Sequence, residues 1–111
     1  MRRSIESAQR KVRIVNIIVS ADGTTVTGLD KNQVSVADTG TGVKTVTLSQ
    51  AMAESDYCVQ VTTATADSVA QVAITSNSVF VVNTFDSTDG TTAKDAICHI
   101  TVIGSDISER S

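Results

Sequence analysis

The sequence predicts an all-β fold, namely a β-sandwich or jelly roll of about eight short, mostly antiparallel strands. Valine and threonine are abundant, aromatic residues make up only 3% of the 111 residues, and proline is absent. Valine and threonine carry two heavy atoms on Cβ, which suits a pleated surface better than a helix. Short apolar runs also recur between turns rich in Gly, Asn, Asp and Ser, at a spacing of about 8–12 residues. A chain of this length suits one domain.

The first half of the domain contains three predicted strands and a loop. KVRIVNIIV (11–19) is apolar on both faces in its later half, which predicts a strand covered on both sides. The turn SADG follows, then a short strand, TTVTGL (24–29), and a second turn. QVSVAD (33–38) alternates between apolar and polar residues, which is typical of a half-buried strand. TGTG (39–42) predicts a flexible loop.

The second half continues with strands of the same kind. VKTVTLSQAM (43–52) places Val46 and Leu48 on one face, and AMAESD (51–56) predicts one helical turn or a loop. In DYCVQVTTAT (56–65), Tyr57 and Val59 share a face that Cys58 does not. The remaining predicted strands cover 68–78, 79–85 and 96–104, and a long polar loop, 86–95, precedes the last of them.

Charge divides the chain into a basic arm, residues 1–11, and a single acidic β-sandwich domain, residues 12–111. Residues 1–13 carry five basic side chains against Glu6, a balance of +4, whereas the rest carries four basic against eleven acidic side chains, a balance of −7. The predicted partner-binding cations are Arg2, Arg3, Arg10, Lys11 and Arg13. Because the arm lacks aromatic residues and the domain would repel phosphates, we expect an acidic protein surface as the partner, not nucleic acid.

The start of the chain has some features of a signal peptide, but its apolar run is short. IVNIIV (14–19) is shorter than a signal-peptide core of roughly 7–15 residues and far shorter than a membrane span of about 18. We therefore expect synthesis in a cytoplasm, with reduced thiols and no membrane contact.

The adjacent Cys98 and His99 are the most reactive-looking pair. In a strand their side chains point to opposite faces, so they cannot form a thiol–imidazole dyad. The pattern predicts Cys98 as a core residue, and His99 as half-buried or in contact with another chain. A disulfide to Cys58 is disfavoured but left open, because the two cysteines share faces of different polarity.

No other motif points to catalysis or to a cofactor. Asp86 and Asp89 lack the spacing of a calcium loop and are expected to form turns. Glu54 and Asp56 have no basic or metal partner, and TGTG lacks the lysine and the following helix of a phosphate-binding loop. With one histidine and no defined nucleophile, the sequence predicts a protein that is not an enzyme and that binds no cofactor or metal.

Three segments resemble the β-sandwich modules of tailed-phage virions. They are VKTVTLSQAMAESDYCVQVTT, ITSNSVFVVNT and AICHITVIG, together spanning about residues 43–104. With its small size and basic arm, the whole chain is similar to capsid decoration (cement) proteins, such as the staple proteins of epsilon15-like phages. The resemblance implies a non-enzymatic structural protein, made in the host cytoplasm, that binds the outer capsid surface and bridges major capsid proteins to stabilise the shell. It also implies a homo-oligomer, a dimer or a trimer.

Two other functions remain open at this point. A tail-fibre tip or receptor-binding module would bind cells or glycans through Thr- and Asp-rich loops such as 86–95. A small enzyme would need a pocket around His99. The near-immediate start of the first strand argues against a fibre.

Overall fold

The computed structural model describes residues 12–105. They form eight strands and one short 3-10 turn, η1, at Lys31–Gln33. The strands are β1 Val12–Val19, β2 Val26–Thr27, β3 Val34–Gly40, β4 Val43–Leu48, β5 Cys58–Thr63, β6 Ser68–Ile74, β7 Val79–Asp86 and β8 Cys98–Ser105.

The strands build two four-stranded antiparallel sheets, which confirms the predicted β-sandwich. The front sheet has the order β2-β1-β8-β5, and the back sheet has the order β3-β4-β7-β6. β1 pairs with β8 along its whole length, from Val12 opposite Ser105 to Val19 opposite Cys98. The turn between β5 and β6 carries the chain from the front sheet to the back sheet. Segments far apart in the sequence, such as β1 and β8, are therefore neighbours in one sheet.

The core lies between the two sheets because alternate side chains of each strand point inward. The inward apolar residues of the four central strands, β1, β8, β4 and β7, are at most 3% exposed, whereas those of β3, β5 and β6 are partly buried. Complete burial of an aliphatic side chain contributes roughly 1.5–3 kcal/mol. The front sheet supplies Val15, Ile17, Val19, Cys98, Ile100 and Val102, and the back sheet supplies Val46, Leu48, Phe80 and Val82.

One end of the core is closed by Tyr57. Its ring packs edge-to-face against Phe80, with ring centroids 6.3 Å apart. Its hydroxyl lies 2.9 Å from the Ser76 carbonyl oxygen and 3.2 Å from that of Val79, so a front-sheet residue is tied to the back sheet. Gly104 makes room for this ring, because a Cβ there would lie 2.7 Å from the Tyr57 Cβ. The glycine that ends the last predicted strand therefore has a packing role.

The opposite end of the core contains a buried charge. Lys44 is 1% exposed, and its Nζ donates to the Ala96 carbonyl oxygen at 3.2 Å. Beside it, Gly42 donates its N–H to Asp95 Oδ1 at 2.7 Å, and its carbonyl accepts the Thr84 N–H at 2.8 Å. These contacts attach the 86–97 segment to the back sheet.

The structure changes several predicted boundaries. The strand predicted at 24–29 shortens to Val26–Thr27, because Gly28 takes a left-handed backbone conformation with φ 105°. β3 runs into the predicted flexible loop and ends at Gly40. Residues 51–56 form no helical turn. The prediction that β1 is covered on both sides is wrong: in the described chain no element lies over its outer face, and Ile18 is only half-buried.

Candidate binding surfaces

The outer face of the front sheet, here called the front face, has no Asp, Glu, Lys or Arg. The strand register places alternate residues of β1, β8 and β5 together on this surface. An outward-facing strand position in a sandwich is ordinarily polar, and charged residues are common there. The residues of the front face are Val12, Ile14, Asn16, Ile18, Cys58, Gln60, Thr62, His99, Thr101 and Ile103.

Apolar side chains concentrate at one end of the front face. Val12 is 64% exposed, Ile14 is 56% exposed and Ile103 is 39% exposed. Ile14 lies opposite Ile103, which in turn lies opposite Cys58, so the three form a row across β1, β8 and β5. A shallow depression of about 290 Å³ adjoins this row; Val12, Cys58 and Ile103 line it, with Glu54 and Asp56 at its polar side.

The outer face of the back sheet, here called the back face, is also free of Asp, Glu, Lys and Arg, but most of its large apolar side chains are half-buried. Only Val69, at 43%, is a strongly exposed large apolar residue on this surface. The domain thus has two uncharged broad faces on opposite sides. The residues of the back face are Ser35, Ala37, Val43, Thr45, Thr47, Val69, Gln71, Ala73, Val79, Val81, Asn83 and Phe85.

The acidic side chains of residues 12–105 lie in turns and loops or in the last residues of β3 and β7. They outnumber the basic ones nine to four, a balance of −5. Three of the four cations donate to backbone carbonyl oxygens of the domain, and one of these, Lys44, is fully buried. The rim between the two faces is therefore acidic. The acidic residues are Asp22, Asp30, Asp38, Glu54, Asp56, Asp67, Asp86, Asp89 and Asp95.

Arg13 points inward and fastens a loop to β1. Its Nη2 donates to the carbonyl oxygens of Gln50, at 2.6 Å, and Ala51, at 2.9 Å. Its Nε and Nη1 are buried and have no hydrogen-bond partner in the described structure. Arg13 thus has a structural role in the domain, and its contact with a partner stays a prediction. Arg2, Arg3, Arg10 and Lys11 lie outside the described residues.

Cys98 and His99 point to opposite sides of the front sheet, as the strand period predicts. Cys98 is fully buried, and desolvation raises the pKa of its thiol, although nearby Lys44 opposes this. His99 is exposed on the front face, between Ile18 of β1 and Thr62 of β5. The half-buried alternative for His99 is therefore wrong, and its contact with another chain stays a prediction.

The two cysteines form no disulfide. Cys58 is exposed on the front face and Cys98 is buried in the core, so the two thiols lie on opposite sides of the sheet. This confirms the prediction that Cys98 is a core residue.

The aspartates of the polar loops form turns. Asp89 Oδ1 accepts the N–H groups of Thr91 and Thr92, both at 3.0 Å, and Oδ2 accepts the Thr92 hydroxyl. These bonds, led by the Thr92 hydroxyl, lower the pKa of Asp89 to about 2. Asp86 bonds Thr88 in the same manner. The carboxylates are thus occupied by their own loop, as expected of turn residues.

Residues 12–105 hold no group of three or more His, Cys, Asp or Glu side chains placed to bind a metal ion. Within the same range, none of the helical segments has the length and apolarity needed to cross a membrane.

Sequence reasoning missed the two uncharged faces and the inward direction of Lys44 and Arg13. The signal was present, because Lys44 alternates with Val46 and Leu48, and Arg13 with Val15. A cation near the start of a strand is ordinarily assigned to solvent. Here the side chains of Lys44 and Arg13 point inward, as their positions in the strand alternation require. Backbone carbonyl oxygens at the ends of the sandwich accept their hydrogen bonds.

Comparison of the chain with protein-family models, curated proteins and solved structures finds no match in any of the three.

Proposed function

We propose that this protein is a non-enzymatic structural component of a phage virion, which binds the outer surface of the capsid and bridges major capsid subunits. The observation that carries the proposal is the pair of uncharged faces on opposite sides of one small domain. A bridging protein must contact two neighbours, and two opposed faces on a packed core provide two surfaces at a fixed separation.

The absence of charge from both faces favours burial against a protein surface. Burying an unpaired charged side chain costs several kcal/mol, whereas Thr, Val, Asn and Gln side chains lose less on burial or find hydrogen bonds. The acidic residues instead stay on the rim, where they remain hydrated. This division of the surface is what a domain with two broad contacts requires.

The basic arm complements the domain. Its charge is opposite to that of the described domain, so a surface that attracts the arm is acidic and would repel the rim. The arm therefore adds attraction and orientation to contacts that the uncharged faces make. We also propose that the protein binds the capsid as a dimer or a trimer, because the resemblance to capsid decoration proteins implies a homo-oligomer.

The surroundings of the reactive side chains support binding over catalysis. His99 has Ile18 and Thr62 as cross-strand neighbours, and Cys98 is sealed in the core. The loop aspartates are engaged by threonine donors of their own turns. Cys98 and His99 lie on opposite sides of the front sheet, so the thiol and the imidazole do not form a nucleophile–base pair.

Cosedimentation with capsids that lack the protein tests the proposal. We expect the full chain to pellet with such capsids and to raise the temperature at which they lose their contents. A variant lacking residues 1–10 should fold normally but bind less tightly, because it loses most of the positive charge of the arm. Its binding should also depend less on salt, since screening acts mainly on the charged contacts.

Two results would contradict the proposal. Failure of the full chain to pellet with capsids would remove the structural role. Binding of the isolated protein to host cells, without binding to capsids, would favour the receptor-binding module. Wild-type affinity in the truncated variant would contradict only the proposed role of the arm and would leave capsid binding by the domain intact.

A further inference from the structure

We infer that the front face is the surface that docks on the shell, and that its complement there is an uncharged apolar patch bordered by acidic residues. The inference rests on the proposed function and adds to it the docking surface and the chemistry of the partner. It is carried by the position of the exposed aliphatic residues and by the point at which the basic arm joins the domain.

The front face has more strongly exposed aliphatic side chains than the back face. Val12, Ile14 and Ile103 are each at least 39% exposed, whereas the back face has only Val69 in this class. Contiguous exposed aliphatic side chains on a small soluble domain mark an interaction surface. The row of Ile14, Ile103 and Cys58 runs across three hydrogen-bonded strands, which hold it rigid, so docking orders few side chains.

The arm leaves the domain at the apolar end of the same face. Residue 11 is followed directly by Val12, which lies on the front face and lines the depression beside Ile103. A partner that covers Val12 and Ile14 is therefore within reach of the arm, which spans at most about 36 Å when extended. The acidic residues of the partner should lie beyond the Val12 end of the contact.

Area explains why the arm and the face are both needed. The 24 residues of the four front-sheet strands, each occupying about 3.3 Å by 4.8 Å, give a footprint of roughly 380 Å², or about 760 Å² counted on both partners. Stable interfaces bury about 1,200–2,000 Å² in total. The face alone falls below this range, and the eleven residues of the arm supply the remaining contact.

Matched lysine substitutions on the two faces test the inference. Ile14→Lys places a charge at the β1 end of the apolar row, and Val69→Lys places one on the most exposed aliphatic position of the back face. Both residues point away from the core, so both variants should keep the wild-type unfolding midpoint. We expect Ile14→Lys to bind capsids at least about tenfold more weakly. Val69→Lys should lose clearly less affinity, because the back face makes the smaller of the two contacts.

Salt separates the two parts of the contact. The Ile14→Lys variant should retain the salt dependence of wild-type binding, because its arm is intact. The variant without residues 1–10 should show a weaker salt dependence and retain sensitivity to Ile14→Lys. Thr101→Lys, in the middle of the front face, should reproduce the loss caused by Ile14→Lys and so guards against a purely local effect.

Equal loss in the Ile14→Lys and Val69→Lys variants, or no loss in Ile14→Lys, would overturn the inference while leaving capsid binding by the wild type intact. Light scattering on the free protein tests the alternative that the front face binds a second copy of the chain. If Ile14→Lys lowers the mass of the free oligomer and leaves capsid affinity unchanged, the front face binds a second copy and the inference is wrong. Failure of the wild type to bind capsids would instead reject the proposed function.

Discussion

Lys44 brings an ammonium group into the interior of the sandwich with a single described acceptor, the Ala96 carbonyl oxygen. Taking a charge out of water costs more than one hydrogen bond to a neutral carbonyl returns. The long side chain nevertheless fills space between the sheets beside Cys98. Its hydrocarbon part and its charge therefore act in opposite directions on the stability of the fold.

Two substitutions at this position separate those effects. We expect Lys44→Met, which keeps the length without the charge, to leave the free energy of unfolding unchanged or to raise it by up to about 4 kcal/mol. Lys44→Ala should lower it by about 2–4 kcal/mol, because a cavity replaces the side chain. Urea denaturation measures both. If Lys44→Met destabilises as much as Lys44→Ala, the ammonium group is a net stabilising element.

Gly42 and Gly90 offer a second comparison at single residues. Both have φ of 70°, which a residue with a Cβ adopts at a cost of about 1–2 kcal/mol. A Cβ at position 42 would lie 2.5 Å from the Thr84 carbonyl oxygen, whereas one at position 90 would meet nothing within 4 Å. The two sites thus share the same backbone strain and differ in space.

We expect Gly42→Ala to lower the free energy of unfolding by at least about 2 kcal/mol more than Gly90→Ala does, because only the former forces the backbone apart. Thermal unfolding of the two variants, followed by circular dichroism, gives the comparison. Equal losses would mean that the 86–97 segment moves away from Gly42 at little cost.

At the scale of elements, alternation predicted the strands well and their ends poorly. β5 and β7 emerge within two residues of the expected starts, because Val and Thr at every second position leave one register that buries the apolar face. The strand expected at 43–52 stops at Leu48, yet Met52 is still buried, with its N–H bonded to the Asn77 carbonyl. Burial thus continues beyond the end of β4. Sequence periodicity alone does not distinguish a buried residue in a strand from a buried residue in the loop that follows.

The polar turns make the stability of the fold sensitive to acid. Asp22 accepts the hydroxyls of Ser20 and Thr24 and the N–H of Thr24, which lowers its pKa from 3.8 to about 2. Asp89 is lowered to about 2 by the donors of Thr92 and Thr91. The native state thus binds fewer protons than the unfolded state, so this stabilisation is present above about pH 4 and is lost as the pH falls towards 2.

We expect the urea midpoint of the wild type to fall between pH 4 and pH 2. The double variant Asp22→Asn, Asp89→Asn should show a smaller fall over the same range, because its turns no longer lose a carboxylate to protonation. Equal slopes for the two proteins would show that other carboxylates determine the acid sensitivity.

At the scale of the whole molecule, the fold class followed from composition and the arm from charge, whereas the faces required the sheets themselves. Residues such as Ile14, Thr101 and Cys58 are far apart in sequence and lie together only through the pairing of β1, β8 and β5. The strand pattern placed each on one side of its own strand. Which sides form one surface depends on how the strands are distributed between the two sheets. The alternation of residues along each strand does not give that strand order.

The division between an acidic rim and uncharged faces also determines how the protein behaves as a colloid. At neutral pH the net charge of −3 and the loop carboxylates keep molecules apart. Near the isoelectric point, at about pH 4.9, this repulsion vanishes while both flat faces persist. Solubility should therefore be lowest in mildly acidic buffer, where neighbouring molecules are free to stack face to face.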